Sequence, residues 1–279
     1  MDEPSRRPVA LAPTRRLPAA LGGAYRRLAR GGHAASDERI WTTAMTGWLV
    51  TGLALALAAS LFDGAAIEYA RHSPSPTIRF MAWITDIGKS QWYLIPAAVV
   101  FLAVGISDWI SADGRDKIWR ARLFGHAAYI FVAVALAGTF VNVVKILFGR
   151  ARPKLFDAGG AYQFDPFTFG YLHASFPSGH STTMGALTAI LMIWYPRWSI
   201  VILELGFFVA ATRVAAGAHY PSDVVTGFMI GLLLAVALAR WLAIRGVVFR
   251  LLPGKVLPWP GRVVGRRPAA NGGPGALVP

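Results

Sequence analysis

Residues 212–223, TRVAAGAHYPSD, set an arginine, a histidine and an aspartate between two long apolar runs. Ionisable groups at such a depth are costly, and function is the default reading of them. His219 and Asp223 stand four residues apart. If the chain turns helical from Ser222, the carboxylate approaches the imidazole, holds one ring nitrogen protonated and leaves the other free to attack. Arg213, six residues before the histidine, carries a permanent charge on a planar fork that suits a phosphate or a carboxylate. The stretch therefore reads as an anion site with a nucleophile or base. An Arg–Asp pair joining two helices, with a histidine at their interface, explains it equally well.

Two further segments carry related chemistry. KILFGRARP holds Lys145 at the end of one apolar run and Arg152-Pro153 shortly after it, and PSGH, residues 177–180, opens another run. Ser178 suits a helix N-cap, and the free amides of Gly179 and its neighbours at the positive end of a helix point at an approaching anion. Lys145, Arg152 and Arg213 can neutralise non-bridging phosphate oxygens, which matters because phosphoryl transfer is mostly positioning and charge stabilisation. No bound metal or cofactor is called for. Of His180 and His219, the one oriented by Asp223 can be the nucleophile while the other gives a proton to the leaving oxygen.

The elements that must hold these groups follow from composition. The chain of 279 residues is 55% hydrophobic and 15% charged, with mean hydropathy +0.47, a membrane composition rather than a soluble one. It has no cysteine, which excludes disulfides and thiolate chemistry. Apolar runs at 41–62, 91–110, 123–144, 178–195, 199–212 and 223–244 predict an all-α polytopic bundle of six transmembrane helices, compared with the ~20 residues a span needs. Residues 1–40 read as a basic, disordered arm, 41–244 as one membrane domain, and 245–279 as a basic, Pro- and Gly-rich disordered tail. Six spans put both ends on one side, and Lys plus Arg then divide 20 against 8. The positive-inside rule makes both termini cytoplasmic. The net charge of +14 lies between and beside the runs rather than on one amphipathic face, so it points to the lipid bilayer and not to nucleic acid.

In this topology the ends carrying Lys145, Arg152, His180, Arg213, His219 and Asp223 share one membrane face. Each has a plain explanation alone. PSGH is a good helix start that recurs by chance, Lys145 can snorkel, and Arg152 can be a loop charge. Glu204, within the fifth run, suits an interhelical hydrogen bond or a neutral form. His33, His72, His126 and His173 have no partner pattern, and no HExxH-like pair supports zinc. Coincidence is a poor account of three motifs on one face.

These motifs resemble the type 2 phosphatidic acid phosphatase superfamily, which includes vanadium haloperoxidases and bacterial acid phosphatases. The family pattern is Lys, six residues, Arg-Pro; then PSGH; then Ser-Arg, five residues, His, three residues, Asp. Here it runs from Lys145 to Arg152-Pro153, through Ser178, Gly179 and His180, to Thr212-Arg213, His219 and Asp223. Thr212 replaces the serine and keeps a hydroxyl.

The resemblance implies that His219 attacks phosphorus, oriented by Asp223. His180 would protonate the leaving oxygen and later activate water, and Lys145, Arg152, Ser178, Gly179 and Arg213 would hold the phosphate. It implies a metal-free lipid phosphatase of the bacterial inner membrane with its site at the outer face. The substrate would be undecaprenyl pyrophosphate, phosphatidylglycerol phosphate, phosphatidate or a lipid A phosphate. The aromatic loop 153–176 is expected to cap the site or select the lipid. A phosphotransferase with the same intermediate, or an anionic-lipid transporter or binding protein, are the alternatives.

Overall fold

The computed structural model describes residues 13–29 and 39–261. In chain order its helices are α1 (Pro13–Ala29), α2 (Thr43–Ser60), α3 (Asp63–His72), α4 (Pro76–Ile84), α5 (Gln91–Gly105), α6 (Gly114–Phe148), the single turn α7 (Phe156–Gly159), α8 (Gly179–Trp194), α9 (Ser199–Ala215) and α10 (Pro221–Ile244). Strands β1 (Phe249–Arg250) and β2 (Trp259–Pro260) form a small antiparallel hairpin.

Helices α2, α5, α6, α8, α9 and α10 fall on the six apolar runs of the sequence. Among the described residues, five segments are long and apolar enough to cross a membrane: Thr43–Ser60, Pro76–Gly105, Gly114–Phe148, Pro196–Ala215 and Pro221–Ile244. Helix α8, at 16 residues, is shorter than a usual span and is instead the most enclosed part of the bundle. Helix α6 does the opposite. Its Asp113 cap accepts from the Asp116 amide, so it begins within the charged connection. Its 35 residues make a rod of about 50 Å.

The core lies between α8 and α10. Ala186, Ala189, Ile190 and Ile193 of α8 meet Val224, Phe228, Ala235, Val236 and Ala239 of α10, all buried. The two backbones touch: a Cβ at Gly185 would stand 1.9 Å from the Phe228 carbonyl oxygen, and one at Gly231 would stand 1.9 Å from that of Thr182. Small residues are what allow helices in lipid to approach so closely, because dispersion contacts replace the missing hydrophobic drive. Helices α2, α6 and α9 pack around this pair, and large apolar side chains such as Leu57, Ile95 and Ile200 face outward. Glu204 also lies on the exposed face of α9.

Two expectations are corrected. The basic arm is not structureless: α1 packs on α5, with Leu17 against Gly105. The tail does not lose order at residue 245: the β1–β2 hairpin seats buried Phe249 against Tyr129 of α6, ring centroids 4.8 Å apart. Buried Arg240 donates to the carbonyls of Arg39, Ile40, Lys255 and Val256, fastening the chain ahead of α2 and the tail to the end of α10. Composition tells of a segment's own core-forming power, not of a docking site elsewhere. The rest of both segments lies outside the described residues.

The close helix pair yields a stability test. Gly231→Ala, which drives a methyl into backbone, should cost about 1–3 kcal/mol as overpacking and lower the thermal midpoint in detergent by several degrees. Gly138→Ala on α6, with open space around its would-be Cβ, should leave that midpoint unchanged or slightly raised.

Candidate active site

Where α6 ends, α8 begins, α9 ends and α10 begins, their termini surround a cavity of about 300 Å³. Its wall includes Lys145, Arg152, Gly179, His180, Arg213 and His219, six of the eight residues singled out by their spacing. Asp223 lies directly behind His219, and Ser178 lies beneath the α8 terminus, both fully buried.

The first turn of α10 sets the histidine. Pro221 occupies an N-terminal position where its missing N–H costs nothing. Asp223, three residues after the Tyr220 cap, turns back so that its Oδ2 accepts the Tyr220 amide at 3.0 Å. The same oxygen accepts the Ser175 hydroxyl at 2.6 Å and stands 3.6 Å from His219 Nδ1. That geometry favours a proton on Nδ1 and leaves Nε2 as the nitrogen for the cavity. His219 is only 2% exposed. Burial, with Lys145 and Arg152 acting in the same direction, pushes its pKa down to about 3 despite Asp223, so the ring is neutral at physiological pH.

The start of α8 supplies the opposite wall. Ser178 is extended, and its hydroxyl accepts from the Ser181 amide and hydroxyl. The side chain serves the cap, and Ser178 is not among the residues that line the cavity. Gly179 leaves the helix terminus open, with nothing within 4 Å of where a Cβ would stand, and the unpaired first-turn amides there form an anion site. His180 follows, its Nε2 buried and without a hydrogen-bond partner.

Three cations complete the cavity, each held by the protein rather than by a carboxylate. Lys145 Nζ donates to Ala174 O at 2.6 Å. The Arg152 guanidinium donates to the carbonyls of Tyr171, Ala174 and Ala218 and lies over the Tyr171 ring at 4.0 Å. Arg213 donates to Thr85 Oγ1 at 3.2 Å, and its Nε is buried without a partner. Carbonyls and a hydroxyl orient a cation without cancelling its charge, so the three remain available to a bound anion. Among the described residues, no group of three or more His, Asp or Glu stands close enough to hold a metal ion.

The structure adds residues that the sequence reading passed over. Asp86 and Lys89, paired at 2.6 Å, line the cavity mouth. Gly88 packs against the His180 side chain, so the short turn after α4 forms a wall. Tyr171 brings the aromatic loop 153–176 into the lining. Arg150, two residues before Arg152, ties Asp223 to Asp63. In the sequence it is marked only as a second arginine beside Arg152 in KILFGRARP.

A sequence model of the PAP2 superfamily matches residues 126–246, which contain every residue singled out for the site. The chain is 34% identical over 208 residues to lipid A 1-phosphatases of Rhizobium johnstonii and Rhizobium etli, covering 73% of this chain and 83% and 87% of those proteins. It is 27% identical over 140 residues to an undecaprenyl-diphosphatase of Sulfolobus acidocaldarius, covering 46% of this chain and 65% of that protein.

The depressed His219 pKa has a measurable sign. Between the unfolded value of 6.5 and about 3, the unfolded chain takes up a proton that the folded imidazole refuses. Stability therefore falls as pH drops through that window, by about 1.4 kcal/mol per pH unit from this group. His219→Gln should lose less of its thermal midpoint than the wild type between pH 7 and pH 4. Parallel loss in the two proteins would contradict a neutral buried ring.

Proposed function

The chain belongs to the PAP2 superfamily and is a membrane lipid phosphatase of that type; we propose that it removes the 1-phosphate of lipid A through a phosphohistidine on His219. The observation that carries the mechanism is the convergence of His219, His180 and three uncancelled cations on one cavity, with Asp223 behind the nucleophile. The choice of lipid rests on the two relatives of that name, which align over most of their length.

The geometry supports the following reaction. Lys145, Arg152, Arg213 and the α8 amides hold the phosphate, drawing charge from the non-bridging oxygens. His219 Nε2 attacks phosphorus in line. A nitrogen–phosphorus bond forms, the bond from phosphorus to the lipid oxygen breaks, and His180, protonated against the dianionic phosphate once the substrate is bound, gives that oxygen its proton. His180 then takes a proton from water, the hydroxide attacks phosphorus, the nitrogen–phosphorus bond breaks and inorganic phosphate leaves. No metal takes part. Asp223 keeps Nδ1 protonated throughout, so the free electron pair stays on Nε2.

The site belongs to the outer, periplasmic face of the inner membrane. The support is the charge asymmetry of the sequence, 20 basic residues against 8, with the eight on the face of the cavity. A headgroup can enter there while the acyl chains remain in the bilayer. The loop carrying Tyr171 is the part of the wall best placed to sense what adjoins the phosphate.

The test is phosphate release by the purified protein in excess EDTA. The panel is lipid A 1-phosphate, undecaprenyl diphosphate, phosphatidylglycerol phosphate and phosphatidate. Lipid A should be hydrolysed with the highest kcat/KM, His219→Ala should fall at least about 1,000-fold, and Arg152→Ala or Arg213→Ala about 100- to 1,000-fold. Preference for another lipid would overturn the substrate, and loss of release with EDTA would overturn the metal-free route.

A further inference from the structure

On the far side of Asp223 from His219 lies a charged cluster to which the mechanism above gives no part. Asp63, the first residue of α3, Arg150 and Asp223 have side chains 0, 3 and 0% exposed. Arg150 uses all five of its N–H donors. Nη1 reaches Asp223 Oδ1 at 2.6 Å and Ser222 Oγ at 2.8 Å; Nη2 reaches Asp63 Oδ2 and the Ala161 carbonyl, each at 2.7 Å; Nε reaches the same carbonyl at 3.1 Å. Ser222 closes the ring, donating its amide to Asp63 Oδ1 at 2.9 Å and its hydroxyl to Oδ2 at 2.5 Å. The Tyr220 ring lies 4.2 Å from the guanidinium carbon. Three chain segments are thereby locked behind the nucleophile.

The charges do not balance. Two carboxylates share one guanidinium, so the cluster carries one net negative charge in a place where burial makes uncompensated charge expensive. Burial works against the Arg150 charge, but Asp223 and Asp63 hold its pKa above the ordinary value. The other charged groups acting on His219 are Lys145 of α6 and Arg152 of the following loop. Both line the phosphate cavity and are engaged there. One positive charge is absent at rest, and the reaction supplies it. When Nε2 bonds to phosphorus and the lipid oxygen departs with the His180 proton, the His219 ring keeps its Nδ1 proton and becomes cationic.

We propose that Asp63 and Arg150 are positioning residues of the phosphoryl-transfer step. Arg150 fixes Asp223 Oδ1 so that Oδ2 faces His219 Nδ1. Asp63, by taking a share of the guanidinium, leaves Asp223 with negative charge to stabilise the ring as it turns cationic. This rests on the phosphohistidine reading above and extends it to a residue 156 positions from the nucleophile in sequence. A bystander salt bridge would hold α3 in place and no more; a preorganised charge acts only when the transition state forms.

The test uses the full-length protein in detergent, with kcat expressed per inorganic-phosphate-binding site so that misfolded molecules do not count. Asp63→Asn keeps the shape and removes the charge; it should lower kcat 10- to 100-fold while KM and the Kd for inorganic phosphate stay within threefold. Asp63→Glu, which restores the charge, should recover part of that loss. Ser222→Ala, a milder cut that leaves all three charges, should lower kcat 3- to 10-fold and decides the question if the Asp63 variants do not fold. Unchanged kcat per site in Asp63→Asn or, failing that, in Ser222→Ala, alongside an inactive His219→Ala, would overturn the positioning role and leave the phosphohistidine reading intact. A kcat loss matched by an equal loss of inorganic phosphate affinity would reduce the cluster to a structural brace and overturn it too. Activity retained by His219→Ala would overturn both.

Discussion

The carboxylate of Asp223 is the constraint on which the rest of the site depends. It lies in the first turn of α10, and each of its contacts fixes something different. The Tyr220 amide sets where the helix starts, the Ser175 hydroxyl holds the end of the aromatic loop, Arg150 joins it to α3, and Oδ2 stands 3.6 Å from His219 Nδ1. Its backbone carbonyl accepts the Ser178 amide at 3.0 Å, so the helix start that carries Gly179 and His180 is registered against the same residue. A buried carboxylate is affordable only when nearly all of its acceptor capacity is used, and here that requirement assembles His219, the α8 terminus and the loop in one place.

The membrane framework makes such local precision possible. The α8 and α10 backbones meet at glycines, so the distance between the His180 turn and the His219 turn is set by hard contact rather than by flexible side chains. Around that rigid pair the cations are oriented by carbonyls from the loop and the end of α9, which aim the charges inward without cancelling them. The outcome is a small polar chamber at the edge of an apolar bundle, suited to a substrate whose phosphate is charged and whose remainder prefers lipid.

The sequence disclosed the parts of this site that repeat a local spacing. Lys145, Arg152, His180, Arg213, His219 and Asp223 were legible because each sits at a fixed offset within a helix end, and the apolar runs located those ends. Asp63 and Arg150 were not, since their pairing spans 87 residues and leaves no periodic trace in either segment. Asp86, Lys89 and Thr85 leave no mark for a related reason: they lie in the connection between two apolar runs, and only its docking against Arg213 and His180 turns it into a wall. Ser178 is legible as a cap, and its hydroxyl accepts from the Ser181 amide and hydroxyl. The length of α6 and the order in α1 and the tail came from caps and long-range packing, which hydropathy does not register.

The most direct measurement is to stop turnover within milliseconds in alkali, which preserves phosphohistidine, after mixing the wild-type protein with lipid A carrying a labelled 1-phosphate, and to locate the label by peptide mass spectrometry. The account predicts label on His219, appearing no later than free lipid and decaying as inorganic phosphate forms. Label on His180, or phosphate release with no labelled enzyme at any time point, would contradict it.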